Sequence, residues 1–410
     1  MAYPMPPGVH AIPTHLLDLR PDKGVDHDLL NPKPITDEKN IWFYWHSGYA
    51  HMHPYTQRNI RAWHRRFTKQ GWALRVLDRV PGSPSNVTEY LDITDPQTFP
   101  QAFIDGTIGG DYGVQHTSDL VRFPLLLAHG GVYADVGLMQ IGDLDGLWRR
   151  TVGDAELPIE VLSYNGGDGK SVGERQLMNY FLVSGRGNPF FARCHRLLLA
   201  LWAAEGGKTS TDGMHKSALL KGIPLMSGGD FTIEENGVTI GPREFDAMLS
   251  DYIIQGHVIT MVMNLVDEEG DWNGPEYIAK HVYAIGYMVG SQLINQLTSW
   301  DGQKAFNLIS LALPKPGQPE SPEQKQAREI VEACLQQSFG FKLAHGLILR
   351  VSGPTVGSLW REHTNSDNVP GTYAHWLRYG MVYWEPDVVP AAMEFELIEP
   401  AKRGPLLREV

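Results

Sequence analysis

The chain has 410 residues, enough for a large core and for two or three domains, and its 42% hydrophobic and 20% charged residues are the balance of an ordinary water-soluble globular protein. Its formal net charge of −12 argues against non-specific nucleic-acid binding by the whole surface. Only two cysteines occur, Cys194 and Cys334, so neither a disulfide framework nor a zinc site is indicated; no secretion or membrane signal is visible, and a cytoplasmic setting is expected.

Residues 1–39 are rich in Pro and polar residues and show no sustained period, which predicts an irregular arm. Ile41 to Trp45 is a strand-like run, Ile60, Trp63 and Phe67 lie at helical spacing after Thr56, and Trp72 to Leu77 reads as a strand, giving a β-α-β opening. Inside it, Arg58, Arg61, Arg65, Arg66, Lys69, Arg75 and Arg79 face one acid, Asp78, with Trp63 and Trp72 interleaved. Such a run is most often a helix face paired with acidic neighbours. The sharper reading is a strip that grips phosphates, of a nucleotide diphosphate or of an RNA backbone.

The segment His116 to Gly137 carries the most information. Thr117 or Ser118 can cap a helix whose first turn holds Asp119, where a carboxylate is favoured by free N–H groups and the helix dipole. Pro124 should bend that helix, and Gly130 sits where a left-handed C-cap residue belongs. Val132, Ala134 and Val136 then alternate with Tyr133, Asp135 and Gly137 as a strand with two faces does. Asp135 therefore arrives at the carboxyl end of a strand, where open α/β sheets bind ligands. Further on, Ile159 to Leu162 is another strand candidate, Asn188 caps a helix with Pro189 at its first position, and the apolar run Leu197 to Ala204 reads as buried, although it is well short of a membrane span. Residues 314–326 form a Pro-rich loop, after which Ser321 and Gln324 make a capping box for a helix with Ala327, Ile330, Val331, Cys334 and Leu335 on one face. The expected architecture is a three-layer, Rossmann-like α/β domain over 40–410, with its core at 40–205 and helical C-terminal additions.

Ser118-Asp119-Leu120-Val121-Arg122, then Gly130-Gly131-Val132-Tyr133-Ala134-Asp135, resembles the donor-site core of the capsular-polysaccharide-synthesis, family 32 and related toxin and mannosyl transferases of the GT-A type. The resemblance implies that Asp119 faces a nucleoside, that Arg122 lies near base or phosphates, and that Asp135 is the first carboxylate of an Asp-x-Asp motif, usually a ribose or metal contact. Trp45, Ser118, Tyr133, Gly137 and His375 are the accompanying candidates for substrate or nucleotide binding. Gly137 stands where the second, metal-chelating carboxylate belongs. A sugar-nucleotide transferase must stabilise a departing diphosphate, commonly with Mg2+ or Mn2+ on two or more oxygen ligands. Here Asp135 is the one metal-ligand candidate, unless His375 or a residue near Asp143 completes the set or basic side chains replace the ion.

The degenerate motif and the basic strip also resemble what a fungal arginine-containing cyclodipeptide synthase would carry, a transferase-like core repurposed for aminoacyl transfer from arginyl-tRNA. Two readings therefore stand: a tRNA-dependent synthase of secondary metabolism acting on aminoacyl-tRNA, slightly favoured, and a glycosyltransferase using a nucleotide sugar and a small-molecule or glycan acceptor. The acidic cluster Asp267, Glu268, Glu269 and Asp271 is expected to be a solvated loop, and Glu174, Arg175 and Gln176 carry little weight. No Gly-x-Gly-x-x-Gly, phosphate-binding loop, His-Glu-x-x-His or Gly-x-Ser-x-Gly occurs to support a dehydrogenase, kinase, zinc protease or serine hydrolase.

Overall fold

A computed structural model of the protein describes residues 3–227, 232–235 and 237–406. Its centre is a six-stranded sheet of β1 (Asn40–Tyr44), β2 (Ala73–Leu77), β3 (Gly131–Ala134), β4 (Val161–Asn165), β5 (Leu177–Ser184) and β6 (Val282–Gly286), in the order β6-β4-β5-β3-β1-β2. Every neighbouring pair is parallel except those of β5, which runs against both β3 and β4. The carboxyl ends of β1 and β3 thus share one edge of the sheet with the amino end of β5.

The period of two in the strands sorts the core. Trp42, Tyr44, Tyr133 and Leu182 point to one face, where α2 (Gly113–His129), α3 (Pro189–Ala203) and α4 (Ile254–Met263) cover them with Leu120, Phe123, Phe191, Leu198 and Val258. Ile41, Phe43, Val132, Ala134 and Val183 point to the other, onto Ile60, Trp63 and Phe67 of α1 (Pro54–Phe67). Each such aromatic or aliphatic side chain gains roughly 1.5–3 kcal/mol by full burial, which the backbone and side-chain entropy of ordering largely offsets. A third cluster forms the C-terminal layer, in which α5 (Pro322–Gln337) and α6 (Tyr373–Tyr383) pack Ile330, Val331, Cys334, Trp360 and Trp376 together with Tyr55 and Ala62 of α1. Helix α1 is therefore buried on two sides, against the sheet and against this layer. Both cysteines are free and buried. Among the described residues no helix is long and apolar enough to cross a membrane.

Several local expectations shift. The first 39 residues are not simply irregular: Val9–Ala11 pairs antiparallel with Trp384–Pro386, and Asp22–Leu30 is a helix that buries only Val25 and Leu29, too short a stripe to show as a period. Helix α2 starts at Gly113 rather than at a Thr117 or Ser118 cap, because the Thr117 hydroxyl bonds back to the Gly113 carbonyl (2.8 Å), the helix-interior habit of threonine. Asp119 accordingly lies beyond the first turn, out of reach of the free N–H groups. Gly130 does have a positive φ, 66°, but its ψ of −173° is not left-handed helical. The expected caps of α3 by Asn188 and of α5 by Ser321 with Gln324 are both formed.

Candidate active site

Asp135 follows the last residue of β3, its backbone N–H held by the Tyr180 carbonyl of β5 (2.9 Å). Facing it, Arg122 comes from the middle of α2, the helix that packs on the same end of the sheet. One guanidinium nitrogen, Nη1, lies 2.8 Å from Asp119 Oδ1 and donates to the Asn179 carbonyl (3.0 Å) and to Gln255 Oε1 (3.1 Å). The other, Nη2, donates to Asp135 Oδ1 (3.0 Å) and to Ser118 Oγ (3.1 Å). The plane rests over the ring of Tyr133, 4.8 Å from its centre, and burial pushes the Tyr133 hydroxyl up to about 12, so that ring stays neutral.

The remaining oxygen of Asp135 is taken by a residue that no local pattern announced. The strand Gly340–Lys342 pairs antiparallel with Leu138–Gln140, Lys342 opposite Leu138, and sends Lys342 Nζ to 2.5 Å from Asp135 Oδ2. Two carboxylates and two cations from three separate stretches of chain thus meet at the carboxyl ends of the strands. Burial drives the two acids up, and neighbours reverse this in only one of them. Asp119, more enclosed, ends above the usual carboxylate range despite Arg122. In Asp135 the desolvation is outweighed by Lys342 and Arg122, which hold the carboxyl below that range and keep it ionised. Asp135 also leaves 24% of its side chain open, against 12% for Asp119, so it is the carboxylate a ligand can touch.

The chain matches the family model of the capsular polysaccharide synthesis protein over residues 20–209. The O-glycosyltransferase braB of Annulohypoxylon truncatum is 32% identical over 395 residues, covering 95% of this chain and 90% of braB. The chain belongs to this glycosyltransferase family. Glycosyltransferase afumC of Aspergillus fumigatus is 31% identical over 390 residues, with 93% of this chain and 95% of afumC covered, and O-glycosyltransferase PaGT of Phomopsis amygdali is 29% identical over 383 residues, with 92% and 90% covered.

These near full-length matches overturn the expected tRNA-dependent cyclodipeptide synthase, and with it the acyltransferase reading and the aminoacyl-tRNA partner. The structure removes its main support as well. Most of the basic strip is committed to internal partners: Arg58 to Asp367, Arg61 to Asp26, Arg65 to Asp22, and Arg75 to Asn40 and the Lys33 carbonyl. Arg66, fully buried, donates to the carbonyls of Gln140, Ile141, Gly142 and Met381 and to Glu385. Arg79 lies over Phe103. Four of the seven, Arg58, Arg61, Arg65 and Arg66, lie on α1 between two layers, and their charges cross-link them.

Other predicted site residues separate. Ser118 and Tyr133 do join Asp135, as supports of Arg122. Trp45 follows β1 at the same end of the sheet, half-buried and edge-on to His53. His375 is instead held by the hydroxyl of Tyr3 (2.6 Å) in the first turn of α6. Asp143 caps a short helix by accepting the Gly146 N–H (2.7 Å), so it is not a spare metal ligand. Arg175 is buried on backbone carbonyls, and Asp267 accepts the Gly270 N–H in the acidic loop.

Gly137 is not an accidental gap. A Cβ there would come within 2.7 Å of the Leu343 carbonyl oxygen, because Leu343 N–H donates to the Gly137 carbonyl (2.8 Å) as the 340–342 strand passes. The donor set does not fit Mg2+ or Mn2+ either. Both oxygens of Asp135 already face cations, and a divalent ion some 4 Å from the Lys342 ammonium would meet a repulsion on the order of 8 kcal/mol at an effective dielectric of 20. Among the described residues the one group of three side chains close enough to share a metal is Asp18, Asp28 and His64. It lines a cavity of about 550 Å³ beside Trp72 and Ala73, at the amino ends of the strands, and Arg20 bridges its two carboxylates (2.6 and 2.5 Å). Ligands of open α/β sheets bind at the carboxyl ends, so the partly exposed Asp135 at the end of β3 marks the candidate site.

Proposed function

We propose that this protein transfers a sugar from a nucleotide-activated donor to a hydroxyl oxygen of an acceptor. The observation that carries the reading is Asp135 itself, an ionised, partly open carboxylate at the carboxyl end of β3, fixed on both oxygens by cations. A carboxylate only accepts hydrogen bonds, which suits it to the hydroxyls of a ribose or a sugar. Arg122, whose two terminal nitrogens are spent on protein groups, positions Asp135 and Asp119 rather than gripping phosphate, and Ser118, Tyr133 and Gln255 hold Arg122. The printed names of braB and PaGT, both O-glycosyltransferases, support oxygen as the acceptor atom.

The test incubates purified protein with a panel of uridine, guanosine and thymidine diphosphate sugars and follows release of nucleoside diphosphate, which requires no knowledge of the acceptor because water can replace it slowly. Release from one donor, lost in Asp135→Asn while the protein stays folded by circular dichroism, is the expected result. Equal release by wild type and variant would show that Asp135 is not at the donor, and no release or binding with any of the panel would sink the reading.

A further inference from the structure

We infer that Lys342 takes the place of the metal ion in this transferase, its ammonium standing where the second motif carboxylate and its cation would be and binding the diphosphate of the donor. The inference rests on the proposed use of a nucleotide-activated donor and assigns the part of the site that meets the leaving group.

Three observations carry it. The position of the missing carboxylate is closed by backbone: any side chain at Gly137 runs into the Leu343 carbonyl, so the chain has given that space to the strand Gly340–Lys342. The same strand delivers the replacement, since Lys342 Nζ lies 3.6 Å from where a Gly137 Cβ would be and 2.5 Å from Asp135 Oδ2. Finally, the lysine is held in place. Its side chain is only 16% exposed and its ammonium lies 5.2 Å from the centre of the Tyr180 ring, in surroundings where a charge is less screened than at the surface. An ammonium has three protons and Asp135 accepts one, leaving the others for phosphate oxygens. A neighbouring imidazole does not compete for this duty: burial pushes His345 down to about 4, so it is neutral at physiological pH.

In the transfer step the bond between the anomeric carbon and the β-phosphate oxygen breaks with its electron pair left on the phosphate. The acceptor oxygen bonds the anomeric carbon, and the acceptor proton passes to water. The diphosphate so gains one negative charge, which a fixed ammonium stabilises without itself losing a proton.

Calorimetric titration of the full chain with UDP, GDP and dTDP, each in EDTA and in Mn2+, tests this apart from turnover. Expected is a nucleoside diphosphate bound with the same affinity in both buffers, weakened roughly tenfold to a hundredfold in Lys342→Met, the weight of a charge-assisted hydrogen bond. Binding of the matching nucleoside, which lacks phosphates, should not change in that variant, and Lys342→Arg should recover much of the loss. Should Lys342→Met melt early, the comparison of buffers in the wild type and Lys342→Arg still decides. Affinity that rises tenfold or more with Mn2+ in the wild type, or equal loss of nucleoside and diphosphate binding in a folded Lys342→Met, overturns the role of the lysine and leaves the donor reading standing. Absence of binding by every diphosphate in both buffers overturns the donor reading and this inference together.

Discussion

The basic strip of residues 58–79 and the group around Asp135 both gather charge, but to opposite ends. In the strip seven cations crowd one stretch of chain, and the folded protein spends five of them, Arg58, Arg61, Arg65, Arg66 and Arg75, on acids, carbonyls and side-chain amides from residues 18–40, 140–142 and 365–385. Around Asp135 the charges are sparse in sequence and come from residues 119, 122, 135 and 342, yet they converge on a carboxylate that stays a quarter open. Density of charge along a chain reports the need to pair it. Convergence of charge from distant segments, on an edge where the sheet leaves room, is the stronger sign of a site.

The contrast breaks most visibly at Arg66. Its guanidinium is buried on four carbonyls and Glu385, so Arg66→Met leaves a mostly enclosed acid and several buried acceptors short of a partner and should cost about 3–5 kcal/mol. Urea unfolding is the measurement. Per folded molecule, nucleotide affinity should be unchanged; a fall in affinity with stability intact would return the strip to ligand binding. Asp135→Asn is the mirror image, with donor turnover down about 10²-fold, the size expected for one preorganised electrostatic group, and stability altered far less than in Arg66→Met. A thermal melt run beside the turnover assay separates the two cases.

How much of this was readable in the chain follows the same line. The opening strand, helix and strand, the caps at Asn188 and Ser321, and the delivery of Asp135 to a strand end are local events, written in period and capping chemistry, and they can be read from neighbouring residues. The Asp119–Arg122 pair is likewise a matter of helical spacing. What could not be read is pairing across long separations. Lys342 reaches Asp135 over 207 positions on a three-residue strand, and nothing near it in sequence marks it. The partners of the strip also lie outside it, from 35 to 319 positions away, which left its charges looking available. The start of α2 was misplaced for a different reason, since Thr117 satisfies the pattern of a cap while its hydroxyl bonds backwards inside the helix.

Gly137 offers a smaller effect with a sharper meaning. Gly137→Ala pushes a methyl against the Leu343 carbonyl and should cost about 1–3 kcal/mol, the usual toll of overpacking. Gly137→Asp restores the letters of the family motif, but the space is occupied, so Mn2+ should not stimulate it. Stimulation by Mn2+ at undiminished melting temperature would mean that the 342–343 backbone yields easily and that the glycine is not what keeps a metal away.

The smallest effect belongs to the cavity at the far end of the sheet, and it settles what that cavity is for. Asp18 is held down to about 2, first by its hydrogen bonds from Arg20, against the desolvation that would raise it. A carboxyl with a depressed folded-state pKa lends stability above its ordinary value of 3.8, and that stability drains away as pH falls towards 2. Arg20 is half exposed, so water screens the pair and its loss in Arg20→Ala should cost no more than about 1 kcal/mol at pH 6. The wild type and the variant should then converge in melting temperature as the pH is lowered through that window. If the cavity were a metal site, the variant would instead free Asp18 and Asp28 for the ion and gain stability on adding Mn2+; melting temperatures in EDTA and in Mn2+ that coincide for both proteins would identify Arg20, Asp18 and Asp28 as a clasp between the N-terminal segment and α1, of the same kind as the strip beside it.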